Sequence, residues 1–147
     1  MQHWSGTGFG RTVFVRMDNG DDFLASLQAA IDAEGIRYGV VVSGIATFKR
    51  CRLHQVLRCD YPPAEGFLEL SEPLEVMSVD GLIAAGKPHL HCTIATKDGK
   101  AYGGHIEPGC IVLYLAEVCV VEAVGVRMDR YRDEAHAGNV YQLQPER

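Results

Sequence analysis

Three of the six histidines fall in one short stretch, KPHLHCTIATKDGKAYGGH, from Lys87 to His105. His89 and His91 are separated by one residue, and His105 lies beyond an Asp98-Gly99 turn signal. Imidazole is the commonest metal ligand among side chains. Three imidazoles that meet leave a fourth coordination position open, the pattern of catalytic zinc sites, whereas structural zinc takes four protein ligands rich in cysteine. Nickel, copper and iron also accept imidazole, so the residue types point to zinc without dismissing those ions. The chemistry depends on whether the three rings face one point.

Hairpin register decides this. With a two-residue turn, Asp98-Gly99, His105 faces Cys92 and the histidines split between the two faces. With a three-residue loop, Lys97-Asp98-Gly99, Thr96 faces Lys100 and His105 faces His91. The second arrangement is a type I turn with a glycine bulge, which needs Gly last in the left-handed conformation, and Gly99 fits that slot. It also sorts the side chains. Leu90, Cys92, Ile94, Tyr102 and Ile106 share one face, and His89, His91 and His105 share the other. A one-residue slip moves every side chain to the wrong face, so the sorted register is the expected one. A bulge at Gly103-Gly104 would upset it. In this register His89 and His91 lie about 7 Å apart along the strand, and His91 and His105 have Cβ atoms about 5 Å apart across it. The bland alternative is three polar residues on a solvated face, with Pro88 only starting the strand.

The rest of the chain must hold this hairpin. Its 147 residues suit a single domain with a real core. Arg11 to Met17 alternates and reads as a strand. Phe23, Leu24, Leu27, Ala30 and Ile31 recur at helical spacing, with Asp21 or Asp22 as N-cap and Gly35 as stop. Everything later reads as sheet: residues 38–44, closed by Gly44; residues 47–57; one or two strands over 67–85, interrupted by Pro73; the histidine hairpin; and residues 110–123. That last run is apolar on both alternating faces, so it is expected to be a central strand covered on both sides. The expected fold class is α+β, a mostly antiparallel sheet with one main helix near the N-terminus. Residues 1–10 read as a flexible N-terminus, 11–126 as the domain and 127–147 as a polar tail, loosely held.

Composition narrows the function classes. A net charge of −5 argues mildly against nucleic-acid binding, which draws on Lys and Arg. The five cysteines are odd in number and contain no C-x-x-C, so they read as reduced, mostly buried thiols of a cytoplasmic protein. The N-terminus does not resemble a signal peptide, and no apolar stretch reaches membrane-spanning length.

Several other residues are candidates. Glu107 faces His89 in the expected register and could orient that ring, or it is an exposed hairpin-end carboxylate. Glu117 sits in the apolar 110–123 run. A buried carboxylate needs either a partner, such as Arg52, Arg50 or Arg16, or a raised pKa, which would make it an acid or base. Lys87 could bind an anionic ligand beside the metal, and Ser43 could line a cleft or serve a turn. His3, His54 and His136 have no motif context and read as surface residues. Cys92 faces away from the histidines.

The stretch GKPHLHCTIATKDGKAYGGHIEPGCIV resembles the core signature of the PPC domain (plants and prokaryotes conserved). FLASLQAAIDAEGIRYGVVVSGIAT is similar to that family's helix and V-S-G-I-G segment, with Ala46 in place of the second glycine. PLEVMSVDGLIA is similar to the strand before the histidine motif. The resemblance covers about residues 11–124. It implies a homotrimer and, in some members, zinc on the three motif histidines, matching His89, His91 and His105. Plant members carry the domain behind a DNA-binding AT-hook, and stand-alone bacterial members are labelled DNA-binding by that association. This sequence has no R-G-R-P core of an AT-hook. The fold is also similar to that of acetolactate decarboxylase, which holds zinc with an H-x-H pair and a later histidine. Two readings follow: a metal-binding PPC protein with a DNA-associated or regulatory role, or a metal-dependent lyase acting on a small oxo- or hydroxy-acid. In the second, Glu117 or Glu107 moves protons and Lys87 binds a carboxylate. A third reading is a structural domain in which any metal stabilises the hairpin or trimer. A pocket over the histidines would favour an enzyme.

Overall fold

The computed structural model describes residues 1–61, 63–132 and 141–146. In chain order the elements are β1 (Gly8–Asp18), α1 (Phe23–Glu34), β2 (Gly39–Val56), β3 (Glu65–Leu70), β4 (Leu74–Ala84), β5 (Lys87–Thr96), β6 (Ala101–Ile106), β7 (Ile111–Val124), β8 (Met128–Arg132) and β9 (Tyr141–Pro145). Seven strands form one antiparallel sheet in the order β1-β7-β2-β4-β5-β6, with β3 on β2. This is the expected α+β class, with one helix among the described residues.

The helix begins and ends on the residues its sequence marks. The Asp22 side chain accepts the Ala25 N–H, and Gly35 adopts the left-handed conformation at φ 66°. Such an N-cap contributes about 1 kcal/mol. Phe23, Leu27 and Ile31 point one way along α1 and are fully buried with Met17, Phe48, Leu53, Leu90, Ile94 and Ile106. Phe23 meets Phe48 edge to face at 5.4 Å between ring centres.

Residues 38–44 and 47–57 form the single strand β2 rather than two. Gly44 does not end a strand. It sits where an added Cβ would stand 2.7 Å from the Cβ of Val79, so it lets β2 pass close to β4. Register shifts between Val41 and Ser43, and again between Ala46 and Arg50, bend the strand. Its first part pairs with β4 and β7; its second part pairs with β3 and, at Leu53 and His54, with β6. The pairing path β2-β4-β5-β6 therefore closes on itself.

β7 is interior, lying between β1 and β2. Among the described residues only one of its faces is covered. Val112, Ala116, Val118 and Val120 enter the core, while Tyr114 is 75% exposed and Glu117 is exposed. The expected coverage on both sides is absent among the described residues, and Glu117 is exposed there rather than buried. On the same uncovered region, Ile45 is 50% and Met77 62% exposed, and both line one shallow depression with Tyr114.

All five cysteines are free thiols; Cys51, Cys92 and Cys110 are buried. Beyond residue 127, β8 and β9 pair into a two-stranded sheet from Met128 opposite Pro145 to Arg132 opposite Tyr141. Glu146 fastens it to the domain, accepting from Arg37 Nη2 at 2.7 Å, Tyr38 Oη at 2.6 Å and Arg127 Nε at 2.8 Å. No helix among the described residues is long and apolar enough to cross a membrane.

Candidate metal centre

The β5–β6 hairpin has the three-residue loop. Thr96 N–H donates to Lys100 O, Gly99 N–H donates to Thr96 O, and Gly99 has φ 77°. His91 stands opposite His105, Cys92 opposite Gly104 and Ile94 opposite Tyr102. Gly103 and Gly104 stay in register. Leu90, Cys92, Ile94 and Ile106 are buried, so the histidine face is turned outward by the packing of the other face.

The three rings converge. Ring centres are 4.6 Å apart for His89 and His105, 5.7 Å for His89 and His91, and 5.7 Å for His91 and His105. Two imidazoles sharing a tetrahedral ion at about 2.0–2.1 Å have ring centres about 5 Å apart. The ring spacing is close to that value, but the ligand atoms of these three do not form a group within 4.8 Å, so His89 and His91 would have to turn about their side-chain bonds to share an ion with His105.

A fourth histidine joins them. His54 is paired with His105 across β2–β6, with ring centres 6.0 Å apart. Read from sequence as a surface residue, it is half-buried, and its Nε2 is buried without a hydrogen-bond partner. The Glu65 carboxylate stands 3.7 Å from that nitrogen, too far for a hydrogen bond. Ligand atoms of His54, His105 and Glu107 all lie within 4.8 Å of one another. An orphaned imidazole nitrogen beside three more imidazoles and a carboxylate is a donor set suited to zinc and to other imidazole-accepting divalent ions.

Glu107 belongs to this cluster, but on a different ring from the expected one. β6 leaves β5 after His105 and turns onto β2, where Glu107 N–H donates to Arg52 O. The carboxylate consequently lies 3.2 Å from His105 Nδ1, not opposite His89. A carboxylate on one ring nitrogen fixes the tautomer and leaves the other nitrogen free to ligate.

Two clefts meet at the histidines. One, of about 540 Å³, is lined by His54, His89, His91 and His105 with Gly103 and Gly104. The other, of about 500 Å³, shares His54, His89 and His105 and extends to Lys87 on β5 and Arg130 on β8. Partial removal from water is the main influence depressing His89, to about 4, although the residue keeps an exposed edge; the charge of Arg130 and then the other histidines follow. His105 is also depressed by desolvation, against the opposing pull of Glu107. Both shifts favour the neutral imidazole, the form that binds metal.

The remaining candidates lie elsewhere or only border the cluster. Lys87 is exposed and lines the second cleft. Ser43 is exposed at a register shift of β2 and lines neither cleft. Glu117 pairs in register with Arg16 and Ile45 on the sheet's exposed face and also lines neither cleft. His136 lies outside the described residues.

Comparison with known proteins agrees with this architecture. A metal-containing protein from Archaeoglobus fulgidus superposes with a TM-score of 0.77 at 25% identity, covering 97% of this chain and 99% of its own. A candidate DNA-binding protein from Bacteroides thetaiotaomicron superposes with a TM-score of 0.75 at 24% identity, covering 94% and 96%. The bifunctional protein GlmU of a Synechococcus strain is 28% identical over 129 residues. This chain spans about a fifth of that relative's length (20%). The family model for the Plants and Prokaryotes Conserved (PCC) domain, also written PPC, matches residues 5–124. The chain belongs to the PCC domain family.

Proposed function

We propose that this PCC-domain chain is a metal-binding protein, that His89, His91 and His105 hold its ion, and that the ion is zinc or another imidazole-accepting divalent metal. The observation that carries this reading is the convergence of three rings from two paired strands, with centres 4.6–5.7 Å apart. Glu107 orients His105, and His54 is a fourth imidazole at the edge of the site. A divalent ion there would supply a Lewis acid able to polarise a carbonyl or lower the pKa of a water. The clefts over the cluster favour a small-molecule ligand, and with it a metal-dependent lyase-like activity, over a purely structural metal. The DNA-binding description of the Bacteroides protein is a likeness of fold, and the net charge of −5 gives direct DNA binding no help.

The assembly that fits is a homotrimer, as the family resemblance implies. Ile45, Met77 and Tyr114 expose apolar surface on the uncovered side of the sheet, as an interface between copies would. A cytoplasmic location accords with the five free thiols.

Elemental mass spectrometry of the untagged protein tests the metal reading. About one ion per chain, lost in each of His89→Ala, His91→Ala and His105→Ala, is expected. No bound metal after incubation with zinc would overturn it.

A further inference from the structure

The hairpin β8–β9 lies beyond residue 124, where the family match ends. It nevertheless helps to line the second histidine cleft, through Asp129, Arg130 and Tyr141, and Lys87 on β5 lines the same cleft. Arg130 is half-buried there, and its Nε is buried without a hydrogen-bond partner. No ion pair holds Arg130 among the described residues. A desolvated guanidinium with an unused donor is costly unless something occupies it. The two acids of the cleft do not fill that role. Asp129 accepts the backbone N–H of Arg130, and Glu65 lies beside His54. Glu146 anchors the hairpin's far end through Arg37, Tyr38 and Arg127, so Arg130 is presented by a tethered element.

We propose that Arg130 and Lys87 form an anion subsite beside the histidine cluster, so that the ligand of this cleft is a small molecule bearing a carboxylate or phosphate group. The guanidinium offers two parallel donors to a planar or tetrahedral oxyanion, and Lys87, lining the same cleft, adds a point charge. The histidines border the same cleft, so a group adjacent to the bound oxyanion would face them. This deepens the metal-binding reading and rests on it only for what the far end of the ligand meets; the subsite itself is built from Arg130 and Lys87.

The test is calorimetric titration of malonate and, separately, inorganic phosphate into zinc-treated and chelator-treated full-length protein, with R130Q and K87Q alongside and metal content measured in each. The expected result is that at least one anion binds the wild type and binds R130Q about tenfold more weakly or worse, with a smaller loss in K87Q and unchanged metal content in both. The anion that responds distinguishes carboxylate from phosphate. K87Q gives an independent reading should R130Q fail to fold. Equal affinity in wild type and both variants, or no binding of either anion to the wild type, would overturn the subsite. Absence of metal with an Arg130-dependent anion affinity would instead overturn the metal reading and leave the subsite standing.

Discussion

His54 stands opposite His105 across the β2–β6 pairing, with the rings nearly perpendicular at 72° and 6.0 Å between centres. This contact depends on Gly104. A Cβ added there would lie 2.7 Å from the His54 carbonyl oxygen and 3.3 Å from the side chains of Leu53 and Gln55. Backbone cannot yield as a flexible side chain can, so Gly104→Ala should separate β6 from β2. The expected cost is about 1–3 kcal/mol in urea unfolding, together with weaker metal binding. Unchanged stability would show that the two strands tolerate a wider spacing.

Glu107 and Glu117 provide a matched pair of carboxylates. Glu107 is within 3.2 Å of His105 Nδ1, and Glu117 is exposed away from the clefts. Glu107→Gln should weaken zinc binding about 10–100-fold in chelator competition, the usual effect of losing a carboxylate that orients a ligating histidine. Glu117→Gln should leave affinity unchanged. Equal effects of the two would remove Glu107 from the site.

Acid should destabilise the metal-free protein through His89. Its pKa is depressed to about 4 in the folded state, against an ordinary value of 6.5. Between those values the unfolded chain binds more protons than the folded one, so stability rises with pH across this window and is fully present above it. Urea midpoints measured from pH 7 to pH 4 in the presence of chelator should fall, and His89→Gln should flatten the decline. Parallel curves for wild type and variant would show that His89 titrates normally.

Glu146 ties the β8–β9 hairpin to residues 37 and 38. Glu146→Ala should speed hydrogen exchange of the β8 and β9 amides while leaving those of β7 protected. If Arg130 depends on this anchor, the same variant should also weaken anion binding. Unaltered exchange in the hairpin would mean that other contacts hold it.

The sequence made the hairpin legible because one face had to be buried. Leu90, Cys92, Ile94 and Ile106 could share that face in one register only, and Gly99 supplied the turn that register needs. The helix was equally plain, bounded by Asp22 and Gly35. His54 was not legible. Its place depends on β2 bending away from β7 to reach β6, a pairing between distant segments that no local pattern encodes. Glu107 was assigned to the wrong ring for the same reason, since β6 changes partner after His105. Glu117 was misplaced because an apolar run on both faces signals coverage without saying whether the cover belongs to the same chain. The wall formed by Arg130 was hidden in a polar segment that showed no strong strand pattern.

X-ray absorption at the metal edge of the zinc-loaded protein tests the central claim most directly, because it counts the ligands that hold the ion. Three imidazoles meeting on zinc predict nitrogen scatterers at about 2.0–2.1 Å with imidazole outer shells, reduced by one in His91→Ala, and no sulfur. A sulfur shell at about 2.3 Å, or a spectrum unchanged in His91→Ala, would place the metal elsewhere and contradict the account.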